Sequence, residues 1–202
     1  MILFEWNDLK ILRVELDALD VKAMASLLSS DEQERAGRLA FIQDRERFIC
    51  RRGMLRLLLS SHTNLEANKL LFAYSMHGKP SLVNSSIQFS LSHSQNVAVY
   101  VISPSVHVGI DIEIMRPLTE LNNLAEKVLP KDVLASFHQT SAEKKLEIFF
   151  AGWTQLEARA KVADTDIFQQ STTGEFLTTT KCFSKETISV AVEAHPFSKQ
   201  AC

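Results

Sequence analysis

The sequence predicts an α+β protein built from two halves that meet near residue 104. Helical patterns come first and strands follow, and the same order then repeats in the second part of the chain. Segregated helices and strands of this kind are typical of α+β proteins, in which small sheets are mainly antiparallel. The composition fits a globular chain with a sizeable core, because 46% of the 202 residues are hydrophobic and 23% are charged.

The first half begins with a helical region over residues 18–60. The sequence Ser30-Asp31-Glu32 has the character of a helix start, so the region is predicted to break just before it. The sequence His77-Gly78-Lys79-Pro80 predicts a turn between two strands. The strands predicted in this half cover residues 70–75, 87–91 and 96–103.

The second half starts with a strand over residues 106–114, after the break at Pro104. A long amphipathic helix is predicted over residues 141–162, because its apolar side chains recur at helical spacing. The remaining predicted elements are helices over 120–128 and 131–137 and strands over 175–180 and 187–193.

Charge and cysteine content exclude several classes of protein. The formal net charge of −2 gives no overall attraction to nucleic acid. The three cysteines are far apart and odd in number, which argues against a disulfide framework and favours a reducing compartment. Charged residues interrupt the apolar residues 1–12, so this segment is predicted to be neither a signal peptide nor a membrane span. We therefore expect a soluble cytoplasmic protein that binds neither nucleic acid nor membrane.

Arginines are concentrated between Arg35 and Arg56. Arg45 and Arg52 fall on the apolar side of the predicted helix, and a buried arginine needs an anionic partner. The partner is either a carboxylate in a structural salt bridge or the phosphate of a ligand, and the sequence leaves both open.

The strand over residues 106–114 alternates between apolar and polar residues. Asp111 and Glu113 are two apart and therefore point to the same face of the strand. Two such carboxylates repel each other unless a cation lies near them, and oxygen ligands of this type suit Mg²⁺. A solvated acidic face is the alternative.

The helix over residues 141–162 carries a second unusual carboxylate. Glu157 comes four residues after Trp153, near the middle of the apolar stripe, and Lys161 lies one turn further along. An ionised carboxylate in that position is costly unless a metal ion or a cation accompanies it. A surface pair between Glu157 and Lys161 on a rotated helix is the alternative.

Two further segments could receive an anion. Residues 90–94, Ser-Leu-Ser-His-Ser, are predicted to end a strand, where hydroxyl and amide groups are available. Lys79 is held on a short, stiff Gly-Pro turn. Ordinary turn chemistry explains either segment when it is taken alone.

Together these segments resemble a known family. Residues 109–113, Gly-Ile-Asp-Ile-Glu, are followed some forty residues later by residues 153–161, Trp-Thr-Gln-Leu-Glu-Ala-Arg-Ala-Lys. This pair, preceded in order by residues 78–80 and 89–94, resembles the signature of 4′-phosphopantetheinyl transferases. The likeness is to the Sfp-type branch, in which one chain holds two similar subdomains, and it covers residues 26–162.

The resemblance implies a fold and a reaction. It implies a pseudo-dimer of two subdomains, residues 1–103 and 104–202, each a small, mainly antiparallel sheet packed with helices. It also implies Mg²⁺-dependent transfer of 4′-phosphopantetheine from coenzyme A to a serine of an apo acyl or peptidyl carrier protein, with release of 3′,5′-ADP. A single chain holding both subdomains is expected to act as a monomer. The alternative is a non-catalytic module of the same fold that binds coenzyme A or a carrier protein.

The resemblance also implies roles for individual residues. Three carboxylates would act in catalysis and hold Mg²⁺: Asp111, Glu113 and Glu157. Glu157 is the first choice of general base. The residues that would contact coenzyme A are Arg35, Lys79, Ser92, His93, Asp111 and Lys161. Two positions depart from the family pattern: Leu156 stands where a lysine is frequent, and residues 162–166 lack the usual glycine-containing turn.

Overall fold

A computed structural model describes residues 2–167 and 175–193. The strands are β1 (Ile2–Trp6), β2 (Leu9–Glu15), β3 (Phe72–Tyr74), β4 (Pro80–Leu82), β5 (Gln88–Ser94), β6 (Val97–Ser103), β7 (Val108–Ile114), β8 (Phe176–Cys182) and β9 (Glu186–Glu193). The helices are α1 (Val21–Ala25), α2 (Ser30–Gly37), α3 (Ile42–Ser60), α4 (Leu121–Val128), α5 (Lys131–His138) and α6 (Ala142–Ala163). Among these residues, no helix is long and apolar enough to cross a membrane.

The two larger sheets share one topology. In the first half, β2 leads into helices and then into the hairpin β5–β6, and the strand order is β1-β2-β6-β5. In the second half, β7 leads into helices and then into the hairpin β8–β9, and the order is β7-β9-β8. All these pairings are antiparallel. The repeated topology confirms the predicted α+β fold of two similar subdomains, with β1 as an addition to the first.

The two sheets pack against each other by one face each. Strand alternation turns every second residue of β6, β7 and β9 toward this shared core. The other face of the first sheet is covered by α3, and the other face of the second is covered by α6. The buried residues of the shared core are Leu9, Ile11, Val97, Val99, Val101, Val108, Ile110, Ile112, Ile188, Val190 and Val192.

Serine side chains join the edges of the two sheets. Ser90 Oγ accepts a hydrogen bond of 3.1 Å from the Ile110 amide, and Ser94 Oγ accepts one of 3.2 Å from the Ile114 amide. The partner residue advances in step with the serine, so β5 and β7 run in parallel at this boundary. The serines satisfy edge amides of β7 that would otherwise lack a partner.

Some predicted elements differ from the observed ones. The strands β1 and β2 were not predicted; they form a hairpin whose turn residues, Asn7 and Asp8, both have positive φ. The strand β4 was also not predicted. The strand predicted over residues 87–91 extends further than expected, because β5 continues to Ser94, the last residue of the segment 90–94, and its backbone pairs with β6. Because β5 is an edge strand, every second backbone amide of this segment is committed to the pairing with β6.

The buried arginine Arg52 pairs with a carboxylate of the protein itself. Glu32 of α2 accepts hydrogen bonds from Arg52 Nε at 2.7 Å and from Arg56 Nε at 2.5 Å, and all three side chains are buried. Arg52 also donates to Tyr74 Oη at 2.7 Å. The salt-bridge interpretation therefore holds for Arg52. Arg45 donates to the carbonyl of Leu39 at 3.0 Å.

Candidate active site

A cavity of about 630 Å³ lies where the two halves of the molecule meet. The first half contributes mainly basic and polar side chains to its wall, and the second half contributes α6 and the residues that follow it. Of the residues predicted to form a site, the cavity wall includes Arg35, Lys79, Ser92, His93, Glu157 and Lys161. Asp111 and Glu113 lie next to this wall on β7.

Asp111 is buried, and its two carboxylate oxygens are in different situations. Oδ1 accepts hydrogen bonds of 2.7 Å from both Ser92 Oγ and Lys161 Nζ. Oδ2 is buried and has no hydrogen-bond partner among the described residues. A buried, unsatisfied carboxylate oxygen is costly unless a cation or a donor completes it. Lys161 thus forms its ion pair with buried Asp111, whereas the alternative interpretation had paired it with Glu157 on the surface.

A close approach between β7 and α6 brings these residues together. Gly109 lies against the helix backbone, and a Cβ atom built on it would be 2.0 Å from the carbonyl oxygen of Ala158. Buried Ala158 is the small helix residue at this contact. Because α6 lies so close to the strand here, the side chains of Glu157 and Lys161 come near Asp111 in the middle of β7.

Glu113 and Glu157 are half-buried, and each lies close to other negatively charged side chains that disfavour its ionisation. Burial and the negative charge of Asp111 raise the pKa of Glu113, while a 2.9 Å hydrogen bond from Ser94 Oγ opposes the rise. Burial raises the pKa of Glu157, and the charges of Asp111 and Glu113 raise it further, whereas Lys161 lowers it. The three carboxylates therefore form one region of unbalanced negative charge.

This repulsion predicts a pH-dependent effect of Glu157→Gln on stability. The unfolded chain ionises Glu157 near its ordinary pKa of 4.5, and the native protein ionises it at higher pH. Native stability is consequently lost as the pH rises through this interval, and glutamine removes the loss. Without divalent cations, we expect the variant to melt about 2 °C above the wild type at neutral pH and at the same temperature near pH 4.

Thermal unfolding followed by circular dichroism in EDTA measures this difference. The control is Glu147→Gln, an exposed glutamate on the same helix, which should show no such pH dependence. Mg²⁺ should then stabilise the wild type more than Glu157→Gln. A variant that is less stable than the wild type at neutral pH in EDTA would contradict the expected repulsion.

The basic residues of the first half face the cavity from the opposite side. Partial burial and the charges of Arg51 and Lys161 lower the pKa of His93 to about 4, so His93 is neutral near pH 7. Lys79 Nζ donates to the carbonyl of Lys161, and burial lowers its pKa. Arg35 is exposed and lies over the ring of Phe48, with 5.5 Å between its guanidinium carbon and the ring centroid.

Arg51 is a cavity residue that the sequence analysis did not single out. Its guanidinium carbon lies 5.7 Å from the centroid of the Phe48 ring, and burial lowers its pKa to about 10. The charges of Arg52 and Arg35 contribute to this lowering of the pKa. A cation destabilised in this way is well suited to bind an anion. Helical spacing could have identified it, because Arg51 follows Phe48 by one turn.

The donor set fits a divalent cation in part. Asp111 Oδ2 is an unsatisfied ligand atom, and two more carboxylates lie nearby. However, within residues 2–167 and 175–193, no three Asp, Glu, His or Cys side chains are grouped closely enough to hold one ion together. Mg²⁺ commonly takes one or two carboxylates and keeps water in its other positions, and that is the mode these residues fit.

Comparisons with known proteins agree with the motifs. The family model described as "4'-phosphopantetheinyl transferase, N-terminal" matches residues 17–105, and "4'-phosphopantetheinyl transferase superfamily" matches residues 107–198. The chain is 35% identical over 161 residues to the 4'-phosphopantetheinyl transferase HetI of Nostoc sp., an alignment covering 77% of this chain and 68% of HetI. The protein therefore belongs to the 4′-phosphopantetheinyl transferase superfamily, which is a family of transferase enzymes.

Two further relatives are more distant. The putative 4'-phosphopantetheinyl transferase slr0495 of Synechocystis sp. is 32% identical over 139 residues, which cover 67% of this chain and 56% of the relative. The 4'-phosphopantetheinyl transferase AcpT of Escherichia coli (strain K12) is 31% identical over 118 residues, covering 58% of this chain and 57% of AcpT. The aligned region thus spans little more than half of these two relatives.

Proposed function

We propose that this protein transfers the 4′-phosphopantetheine group of coenzyme A to a serine of an apo acyl or peptidyl carrier protein, releasing 3′,5′-ADP in a Mg²⁺-dependent reaction. The observation that carries the proposal is the charge arrangement of the 630 Å³ cavity. Basic side chains line one part of it, and buried or half-buried carboxylates border another. A diphosphate with its divalent cation requires this combination.

The proposed binding roles follow from where each side chain lies. Arg35, Lys79 and His93, together with Arg51, would receive the phosphates of coenzyme A. Ser92 donates to Asp111, so we assign it the task of orienting that carboxylate as well as a contact to the coenzyme. Lys161 bonds Asp111 and lines the cavity, and it would neutralise the diphosphate.

The metal would be held by Asp111, Glu113 and Glu157. Asp111 is the strongest candidate for a direct ligand because Oδ2 is buried and unsatisfied. Glu113 is tied to Ser94, so it would act directly or through a metal-bound water. Bound Mg²⁺ would supply charge stabilisation for the transferring phosphoryl group and for the α-phosphate of the leaving 3′,5′-ADP.

The reaction requires a base for the serine proton. The serine oxygen forms a bond to the β-phosphorus, and the bond between that phosphorus and the bridging oxygen breaks. The leaving 3′,5′-ADP keeps the electron pair, and the serine proton passes to the base. Glu157 is the preferred base because it lines the cavity and its raised pKa makes it a better proton acceptor.

We also propose the division into subdomains and the cellular setting. Residues 1–103 would form the subdomain that contacts coenzyme A and the carrier, and residues 104–202 would form the one that binds Mg²⁺. The chain passes from β6 to β7 between Ser103 and Val108. Since both walls of the cavity come from one chain, we propose a monomer. Cys50 and Cys182 are free thiols, in keeping with a reducing cytoplasm.

Intact-mass spectrometry tests the proposed reaction. An apo acyl carrier protein is incubated with the protein, coenzyme A and Mg²⁺, and we expect the mass gain of one phosphopantetheine. We expect Glu157→Ala to lose this gain and Glu147→Ala, an exposed glutamate on the same helix, to retain it. No modification of any acyl or peptidyl carrier at high enzyme concentration would sink the proposal.

A non-catalytic module that binds coenzyme A or a carrier is the second candidate. The presence of all three carboxylates together with Lys161 favours catalysis, because a module that only binds would not need all four side chains. Tight binding of coenzyme A without turnover on any carrier would favour the module.

A further inference from the structure

The residue that ends α6 has a backbone conformation that its type rarely adopts. Asp164 is the C-cap residue of the helix and has φ 53° and ψ 52°, in the left-handed region. Glycine enters this region without steric cost, whereas a residue with a Cβ atom needs compensating contacts. The side chain of Asp164 makes such a contact.

The Asp164 side chain reaches a turn that belongs to the other half of the molecule. Asp164 Oδ1 accepts a hydrogen bond of 2.8 Å from Ser75 Oγ. Ser75 is the first residue of the turn between β3 and β4, and its Oγ also accepts the amide of Lys79 at 3.1 Å. The Ser75 amide donates to the Lys79 carbonyl at 3.0 Å. One serine thus closes the turn and links it to α6.

The same turn delivers Lys79 to the boundary between two cavities. Lys79 lines the 630 Å³ cavity and also a neighbouring cavity of about 580 Å³, and Asp164 borders both. The Lys79 ammonium donates to the carbonyl of Lys161 in the last turn of α6. Burial disfavours the charge of Lys79, and Asp164 is the group that favours it. The position of Lys79 therefore depends on the end of α6.

We propose that Asp164 is a positioning residue, which latches the turn of residues 75–79 to the end of α6 and so holds Lys79 at the wall of the main cavity. This inference rests on the proposed function in one respect, namely that the cavity receives the phosphates of coenzyme A. The latch itself is a contact between the two halves of the molecule. It should be measurable without any carrier protein.

Two substitutions separate the latch from the charge of Asp164. Asp164→Asn and Asp164→Gly remove the same negative charge, and both residues accept the left-handed conformation. Asparagine keeps an oxygen that can accept the Ser75 hydroxyl, and glycine does not. If Asp164 acted only by repelling the phosphates of coenzyme A, both variants would bind the coenzyme more tightly. The latch predicts that they diverge.

Hydrogen exchange of the amides of residues 75–79, calorimetric binding of 3′,5′-ADP and steady-state kinetics test this prediction. For Asp164→Gly we expect the turn amides to exchange about tenfold faster and 3′,5′-ADP to bind about tenfold more weakly. The KM for coenzyme A should rise about tenfold, and kcat should stay within roughly twofold of the wild type. For Asp164→Asn we expect all four values to equal those of the wild type. The control is Asn84→Gly, which places glycine at another left-handed position, φ 56°, away from the cavity.

A second variant supports the same test. Ser75→Ala should show at least the effects of Asp164→Gly, because it breaks the bond to Asp164 and also the bond that Ser75 Oγ accepts from the Lys79 amide. Adding Asp164→Gly to Ser75→Ala should change little, because the contact with Asp164 is already lost. Equal behaviour of Asp164→Asn and Asp164→Gly, or unchanged exchange of the turn amides in Asp164→Gly, would overturn the latch. Failure of the wild type to modify a carrier would count against the proposed function alone, since hydrogen exchange is read without substrate.

Discussion

Replacing Asp111 with asparagine is expected to reduce the transfer rate by about 10²–10³-fold while leaving the protein folded. The substitution preserves the shape of the side chain. Its Oδ1 atom can still accept the hydrogen bonds that Ser92 Oγ and Lys161 Nζ donate to the carboxylate. Oδ2, which has no partner in the described structure, is replaced by an amide nitrogen that cannot bind a cation.

The reason for the large effect is that the change falls on a buried carboxylate oxygen that lacks a partner within residues 2–167 and 175–193. Removing the charge of Asp111 also lowers the repulsion that raises the pKa of Glu157. Glu157 then becomes a weaker base, so the loss of metal binding and the loss of basicity act in the same direction. We expect the remaining activity to require a higher Mg²⁺ concentration.

Single-turnover transfer measured over a range of Mg²⁺ concentrations checks this prediction. The matched control is Ser92→Ala, which removes a donor to Asp111 Oδ1 but leaves the carboxylate in place, and we expect a loss of about tenfold. Circular dichroism and thermal unfolding show whether each variant is folded. An Asp111→Asn variant that is folded and has nearly wild-type rates at every Mg²⁺ concentration would be incompatible with a metal-binding role for Asp111.

The residues of the candidate site were predictable where one element determines their direction. Alternation along β7 was enough to place Asp111 and Glu113 on one face, because side chains in a strand repeat with period two. Helical spacing was enough to place Glu157 and Lys161 one turn apart on α6. Both inferences hold in the structure, although the functional roles of these residues remain proposals.

The partners of these residues could not be predicted, because they come from elements distant in the chain. Ser94 bonds Glu113, and Lys79 bonds a carbonyl of α6, only because β5 and the turn of residues 75–79 meet the second half in three dimensions. The same holds for Arg52, whose partner Glu32 lies twenty residues earlier on another helix.

The repeated architecture is not accompanied by a visible repeat in the amino-acid sequence. The two halves share a strand order and a helix position, and these features need only similar patterns of apolar residues. The hairpin β1–β2 was missed for a local reason. Its turn uses Asn7 and Asp8 with positive φ, without the glycine that usually marks such a turn.

Replacing Gly109 with alanine is expected to disrupt the site by displacing α6. An alanine Cβ would lie 2.0 Å from the carbonyl oxygen of Ala158 and 2.9 Å from the amide nitrogen of Val162. Both atoms belong to the helix backbone, so no side-chain rotation can relieve the clash. Overpacking of this kind costs about 1–3 kcal/mol or more. Moving α6 outward would also take Glu157 and Lys161 away from Asp111, so we expect transfer to fall by at least about 10²-fold.

Gly152→Ala is the matched control for this substitution. It too replaces a glycine in a crowded position, in this case within α6 itself. The added Cβ would meet Leu129 Cδ2 at 2.2 Å, which is the end of a flexible side chain that can turn aside. Alanine also favours the helix over glycine by about 1 kcal/mol, which offsets the cost of moving the leucine. Urea unfolding and transfer rates should therefore separate the two variants, with Gly109→Ala impaired in both and Gly152→Ala in neither. Equal stability and activity of the two would mean that close contact between β7 and α6 is not what assembles the carboxylates and Lys161 into one site.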